Sequence, residues 1–273
     1  MLGHLLDNVR NKNPMIHCIT NYVSINDCAN ILLACGASPI MADDEEEAAE
    51  VTSSCDGLYL NMGMLSNRKV SSMLTAGRKA NELGHPVVLD PVGVGVSALR
   101  RQSVKQLLSG ISFCAIRGNL SEIRTIACGS GNTKGVDAGT ADRVTEAEID
   151  DIAAMAKDLS KETKAVIVVT GAIDIVADDK TAYCIRNGHP MMRMVSGTGC
   201  QLSALLAAYI TACQEDKLSA AVASVCAMGY AGETAYKRLA KTDGNAAYRD
   251  RIIDAVFNMS AQELDKGAVY EMR

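Results

Sequence analysis

The sequence predicts a three-layer α/β/α fold with a central, mostly parallel sheet and an antiparallel hairpin at one edge. Short apolar runs of strand length alternate with helix-length segments through about residue 170, the order that lays a parallel sheet between helices. The strands are continuous apolar blocks, VVLD and AVIVVT among them, as expected where both faces of a sheet are covered. Two further β-rich runs, 173–176 and 181–185, are split by the polar Asp178-Asp179-Lys180, the pattern of an antiparallel hairpin.

Residues 5–12 read as an amphipathic helix, followed by a strand over Met15–Ile19 bounded by Pro14 and by Thr20-Asn21. Residues 27–35 carry a helical apolar face that stops at Gly36, with Ser24 or Asn26 as the cap. An extended piece at 38–42 leads into the acidic run 43–47, whose carboxylates suit the positive end of a helix. The alternation continues with a strand over Gly57–Asn61, a helix at 68–83, a strand at 86–90, a helix at 98–108 and a strand at 113–116. Helices starting at Asn119 and covering 145–159 precede the strand at 165–170, and beyond Cys200 the chain reads as nearly all helical, with runs at 205–213, 220–239 and 251–264. The glycine-rich stretch 128–140 reads as a long loop. Its GxG follows no strand and does not match a Walker A pattern, which excludes P-loop and Rossmann readings. With no linker, low-complexity segment or repeat, residues 1–273 read as a single domain.

Hydrophobic residues make up 48% and charged residues 22%, an ordinary globular balance. A net charge of −5 without a basic cluster argues against a nucleic-acid surface. No apolar run reaches membrane-spanning length and the first residues lack a signal-peptide pattern, so a cytoplasmic protein is expected. The ten cysteines include no CxxC pair and read as reduced thiols, with Cys35, Cys55, Cys114, Cys184 and Cys226 in the core. His17 lacks metal-ligand spacing and reads as structural.

The stretch Gly197-Thr198-Gly199-Cys200 opens directly into an Ala/Leu-rich helix. Unpaired amides at a helix N-terminus form an anion site, glycines permit close backbone approach, and the same field is expected to lower the Cys200 thiol pKa. In open α/β sheets ligands lie beyond the C-terminal strand ends. The residues there are Asn21, Met41 in an apolar context, Asn61-Met62-Gly63, Asp90, Arg117, Asn119, Glu122 and Thr170. Asp90 and Glu122 each follow a buried strand and suit a hydrated Mg²⁺ beside phosphates. Arg117 and the Gly-Thr-Gly turn, Thr198 and Gly199 included, supply positive potential for the same phosphates. Each position also has a structural reading: a turn at Asp90-Pro91, and an Asn-x-x-Glu capping box at Asn119 and Glu122. Together they favour phosphoryl transfer. Met41, with Asn21, Cys28 and Gly63 nearby, is expected to line the pocket for the second substrate.

The stretches NPMIHCITNYVSINDCANILLACGASPIMA, LYLNMGML, VVLDPVGVG, IRGNLSEI, GVDAG, VVTGAIDIV and SGTGCQLSALLAAY resemble the hydroxyethylthiazole kinases of the ribokinase-like superfamily, from about Asn13 to Tyr209. The resemblance implies transfer of the ATP γ-phosphoryl to a thiazole alcohol with Mg²⁺. It places ATP at Arg117 and Thr170, the thiazole at Met41 and Gly197, and the superfamily's metal-proximal Asn-x-x-Glu at Asn119 and Glu122. It puts Cys200 where most of the superfamily carries an aspartate base, and it implies a homotrimer with the thiazole between subunits. Ala138 in GVDAG departs from a commoner serine. A sister kinase for hydroxymethylpyrimidine or another small alcohol is expected to carry Asp at position 200. A thiol-nucleophile hydrolase needs a histidine at a neighbouring strand end, and none stands there.

Overall fold

The computed structural model describes residues 1–128 and 146–273. In chain order its elements are α1 (Gly3–Lys12), β1 (Met15–Ile19), α2 (Ile25–Cys35), β2 (Ser38–Met41), α3 (Glu45–Ser53), β3 (Gly57–Asn61) and α4 (Asn67–Leu83). Next come β4 (Val87–Asp90), α5 (Ala98–Gly110), β5 (Ala115–Asn119), α6 (Leu120–Ala127), α7 (Ile149–Thr163), β6 (Val166–Thr170), β7 (Asp174–Ala177) and β8 (Ala182–Ile185). The remainder is α8 (Thr198–Ala212), α9 (Lys217–Lys237), α10 (Asn245–Asn258), α11 (Ala261–Gly267) and β9 (Tyr270–Met272).

The strands form one sheet in the order β2-β1-β3-β4-β5-β6-β7-β8-β9. Pairings from β2 through β6 are parallel, and β7, β8 and β9 continue the sheet antiparallel. Side chains alternate along each strand between two cores, as the period of two requires. Ile16, Cys18, Tyr59, Val88, Val166 and Val168 pack beneath α1, α2, α8, α9, α10 and α11. Ile19, Leu58, Leu60, Leu89, Ile167 and Val169 pack beneath α3 to α7.

That alternation positions the site. Asn61, Asp90, Arg117 and Thr170 are the next inward positions on the α8 side after Tyr59, Val88, Ala115 and Val168, and all lie at strand C-termini. The register sets Asn61 opposite Asp90 and Asn119 opposite Thr170.

Several expectations change. The helical run expected at 251–264 is two helices, because Ser260 starts α11 with a capping box to Glu263. The chain after Cys200 is nearly all helical as expected, and β9, three exposed residues too short to show a pattern, adds an edge strand. A 3₁₀ turn at Glu146–Glu148 precedes α7, and Thr145 and residues 129–140 of the expected loop, Ala138 with them, lie outside the described residues. The acidic run does start a helix, with Asp44 accepting the Glu46 N–H. Cys35, Cys55, Cys184 and Cys226 are buried and Cys114 is partly so, and all ten thiols are free. His17 is buried between Thr52 and the Ala42 carbonyl, a packing role.

Candidate active site

The site is built around the first turn of α8. Gly197 sits in the left-handed region at φ 89°, and a Cβ there would lie 2.9 Å from Ser24 Cβ. Only glycine brings this turn so close to α2 without strain. The first bond of the helix runs from the Gln201 N–H to the Gly197 carbonyl at 2.9 Å, so the amides of Thr198, Gly199 and Cys200 precede it and are left for an anion. A Cβ on Gly199 would meet the Arg117 guanidinium at 2.5 Å. The second glycine therefore admits a cation directly against the helix start.

Beneath that turn lies a buried polar network. Asn61 Nδ2 faces Tyr59 Oη at 2.8 Å, Asp90 Oδ2 at 3.0 Å and the Cys200 sulfur at 3.3 Å. Its Oδ1 accepts from Asn21 Nδ2 at 2.9 Å and from the Gly63 N–H at 2.9 Å. Asn21 Nδ2 also reaches Cys200 Sγ at 3.6 Å. Ser203, one turn along α8, donates to Asp90 Oδ2 at 2.8 Å, and Tyr59 donates to the Cys200 carbonyl at 3.2 Å. Two strands are thereby tied to both ends of the first turn of α8. A Cβ on Gly63 would lie 2.7 Å from Asn21 Nδ2, so that position is small because the two strand ends touch.

Arg117 carries charge to the other side of the turn. Its Nη1 is 3.6 Å from Asp90 and its Nη2 donates to Thr170 Oγ1 at 2.7 Å, while Nε is buried without a hydrogen-bond partner among the described residues. Burial disfavours the guanidinium charge, but Asp90 first and then Glu122 outweigh it and raise the Arg117 pKa. Asp90 is fully buried; burial pushes its carboxyl above the ordinary range, against Arg117, Ser203, Tyr59 and Asn61, which stabilise the anion. Its Oδ1 has no hydrogen-bond partner among the described residues.

Glu122 completes the capping box of α6. Its Oε2 accepts the Asn119 N–H at 2.8 Å and Asn119 Oδ1 accepts the Glu122 N–H at 2.8 Å. Its Oε1 accepts the Gly93 N–H at 2.7 Å, so the carboxylate also fixes the loop beyond β4. Burial and then the charge of Asp90 raise its pKa.

The expected depression of the Cys200 thiol does not hold. Burial, then the neighbouring charge of Asp90, raises its pKa, and Arg117 and the Asn21 amide offset this only in part. The helix start cannot lower a thiol that has lost water and faces a buried carboxylate. Cys200 is therefore a neutral thiol at neutral pH, with two amide donors aimed at its sulfur.

All the residues expected to hold ATP, Arg117, Asn119, Thr170, Thr198 and Gly199, line a single cavity of about 660 Å³, within the usual range for small-molecule sites. Leu202, Val225 and Met228 give it an apolar wall, and Asn187 and His189 a further polar one. The residues expected for the alcohol are not part of that lining. Asn21 and Gly63 gather at the sulfur of Cys200, and Cys28 is buried near it, its own thiol pushed up to about 12 by burial and then by Cys200. Met41 stands farther out, ending the edge strand β2 opposite Cys18. Cys200 thus faces the residues expected for the alcohol, from a helix whose first residues wall the cavity.

A cation fits this setting. Asp90, Glu122 and Asn119 offer hard oxygen donors, and Asp90 Oδ1, without a hydrogen bond among the described residues, is a buried acceptor that suits a donor or an ion. No group of three or more His, Cys, Asp or Glu suited to a metal stands among the described residues.

Tyr59 and Ser203 were missing from the sequence expectations. Tyr59 hides in a continuous apolar strand, whereas Ser203 was detectable as the i+3 neighbour of Cys200 on the same helix face. Asp174, Asn187 and His189 of the cavity carry no local motif.

The family model described as the Hydroxyethylthiazole kinase family matches residues 6–262. The chain is 57% identical over 271 residues to the hydroxyethylthiazole kinase of Clostridium acetobutylicum, covering 99% of each chain. It is 47% identical over 258 residues to that of Ruminiclostridium cellulolyticum, covering 94% of this chain and 92% of the relative. Among solved structures, hydroxyethylthiazole kinase from Pyrococcus horikoshii OT3 superposes with a TM-score of 0.87 at 31% identity, covering 100% of this chain and 98% of that one. The pyridoxal kinase of Staphylococcus aureus, solved with AMP-PCP and pyridoxal, shares the fold at a TM-score of 0.57 and 14% identity, covering 95% of this chain and 97% of that one. With its mixed sheet, its glycine-opened helix bearing Cys200 and this span of similarity, the chain belongs to the hydroxyethylthiazole kinase family.

Proposed function

We propose that the chain transfers the γ-phosphoryl group of ATP to the primary hydroxyl of 4-methyl-5-(2-hydroxyethyl)thiazole, a step of thiamine salvage in the cytoplasm. The observation that carries this reading is the division of space at α8: Arg117, Thr170, Thr198 and Gly199 line one cavity, while Cys200 Sγ meets Asn21 and Asn61 outside it.

The triphosphate lies with its terminal groups against Arg117 and the free amides of α8, the positively polarised end of the cavity. The alcohol lies on the β1–β2 side, its ring against Met41 and its hydroxyl at Cys200. The hydroxyl oxygen bonds to the γ-phosphorus, the bond to the bridging oxygen breaks, and ADP departs. The hydroxyl proton turns acidic as the new bond forms, and the Cys200 sulfur orients the group and, in its ionised fraction, takes that proton. Mg²⁺ neutralises phosphate charge when bound, and Asp90 and Glu122 would hold it. Asn61 and Ser203 keep Asp90 and the first turn of α8 in fixed relation.

The assembly we propose is a homotrimer with the alcohol site at a subunit boundary. Support comes from β2, an edge strand whose four residues are all half-buried, and from the exposed Tyr22 and Val23 beside Asn21. Light scattering on a sizing column checks it, with a trimer mass expected.

The deciding experiment incubates the purified protein with MgATP and either the thiazole alcohol or hydroxymethylpyrimidine, measuring ADP and the phosphomonoester by mass. Faster phosphorylation of the pyrimidine would overturn the substrate assignment.

A further inference from the structure

One carboxylate in the large cavity has no part in the phosphoryl transfer described above. Asp174 opens β7 just after the turn out of β6 and lines the cavity with Arg117 and Thr170. Its Oδ1 accepts the Gly171 N–H at 2.9 Å, which fixes the carboxylate against the turn, and its Oδ2 makes no hydrogen bond among the described residues.

An unpaired anion is a poor wall for a cavity that takes a polyphosphate, unless the ligand brings a donor to it. Burial, opposed in part by the Gly171 amide and Arg117, pushes the Asp174 carboxyl up to about 6. ATP has few donors to give. Its phosphates only accept, and the exocyclic amine lies at the end of the base, remote from them. The ribose hydroxyls stand between. Asp174 stands near the phosphate end: Arg117 donates to Thr170 at 2.7 Å, Thr170 ends β6, and the β6–β7 turn returns the chain beside it at Asp174.

We infer that Asp174 Oδ2 accepts a ribose hydroxyl of the nucleotide and makes the site select ribonucleoside over deoxyribonucleoside triphosphates. This deepens the proposed function and rests on ATP occupying the cavity. A carboxylate that accepts a sugar hydroxyl next to a bound pyrophosphate is established chemistry in nucleotide sites, and here the acceptor is preoriented by its own turn. If Asp174 served the turn alone, its removal would weaken every nucleotide alike.

The test compares kcat/KM for ATP, 2′-deoxy-ATP and 3′-deoxy-ATP. The wild type is expected to disfavour at least one deoxynucleotide by roughly tenfold or more, the loss of a hydrogen bond to a charged group. In Asp174→Ala the ATP value should fall toward the deoxynucleotide value, leaving a ratio within about twofold, and Asp174→Asn, which keeps the turn acceptor, should lie between. Equal losses for all nucleotides with the wild-type ratio preserved would overturn the inference, as would a wild type indifferent to both deoxynucleotides, a result that needs no variant to fold. Calorimetric titration of ATP into Arg117→Ala separates the two levels. Unaltered ATP binding there would remove the nucleotide from this cavity and the proposed function with it, whereas weakened binding beside an indifferent wild type would remove the ribose assignment alone.

Discussion

At Cys200 the surroundings oppose the helix start. Burial and Asp90 keep the thiol protonated at neutral pH, while Asn21 and Asn61 aim amide donors at the sulfur as they would at an anion. An aspartate side chain is similar in size and ionises far more readily, and those two amides suit it. Cys200→Asp is therefore expected to fold and phosphorylate the alcohol, whereas Cys200→Ala keeps ATP binding and loses turnover by roughly a hundredfold, the scale of a lost proton acceptor. The raised thiol also sets a direction in pH. Wild-type kcat should climb from neutral toward alkaline pH as the thiolate fraction grows, and Cys200→Asp should lose that climb. Steady-state rates of the three proteins from pH 6.5 to about 9 check this, and an inactive aspartate variant that binds both substrates would refute it. Met41 is the matching test on the alcohol side: Met41→Asp is expected to raise the thiazole KM about tenfold or more and leave the ATP KM nearly unchanged, since a charge against an apolar ring costs the ring and not the nucleotide.

Among the elements, β9 makes the least predictable contribution. Val269 donates its N–H to Asn187 Oδ1 at 2.7 Å, and the Asn187 amide bonds the Gly267 carbonyl at 2.8 Å and Glu233 at 3.0 Å. Arg186 N–H meets the Val269 carbonyl at 2.9 Å. The last residues therefore pin a stretch that walls the large cavity, and deleting residues 268–273 should weaken ATP binding several-fold while leaving the thiazole KM little changed; calorimetry reads it, since each lost hydrogen bond is worth about 1 kcal/mol. Gly199→Ala should act at the opposite wall, because its Cβ would displace the Arg117 guanidinium. A loss of kcat/KM for ATP without a fall in Tm is expected. Little of this could be read in advance. The buried strands and their order of appearance were legible because an apolar block of strand length has few other places to go. β9 was not, since three exposed residues bear no period, and neither was the break at Met259, where a cap overrides continuing apolar spacing. At the site, strand-end polar residues pointed to Asp90, Arg117 and Thr170, but Tyr59 was indistinguishable from core and Asn187 draws its role from long-range contacts.

For the molecule as a whole, the cysteines set the response to alkali. Burial pushes the thiols of Cys28, Cys35 and Cys226 up to about 12 from an ordinary 9, and all three lie in the core on the α8 face of the sheet. In the unfolded chain they ionise near 9, so above that pH unfolding releases protons that the folded state retains. A pKa raised on folding contributes stability that is complete below the unfolded value and is lost as pH rises toward the folded one. Each thiol costs about 1.4 kcal/mol per pH unit in that window, so three together approach about 4 kcal/mol per unit. Against a total of about 5–15 kcal/mol for a typical domain, this is enough to unfold the protein one to a few units above pH 9, before the folded thiols titrate. Urea midpoints under reducing conditions should be nearly flat from pH 7 to 8.5 and fall steeply above about 9.5. Cys226→Ala should start less stable, because it leaves a cavity, yet lose stability with pH less steeply, by about 1.4 kcal/mol per unit. A midpoint that stays level through pH 11, or a Cys226→Ala slope equal to that of the wild type, would mean that these thiols ionise as freely in the folded protein as in the unfolded chain.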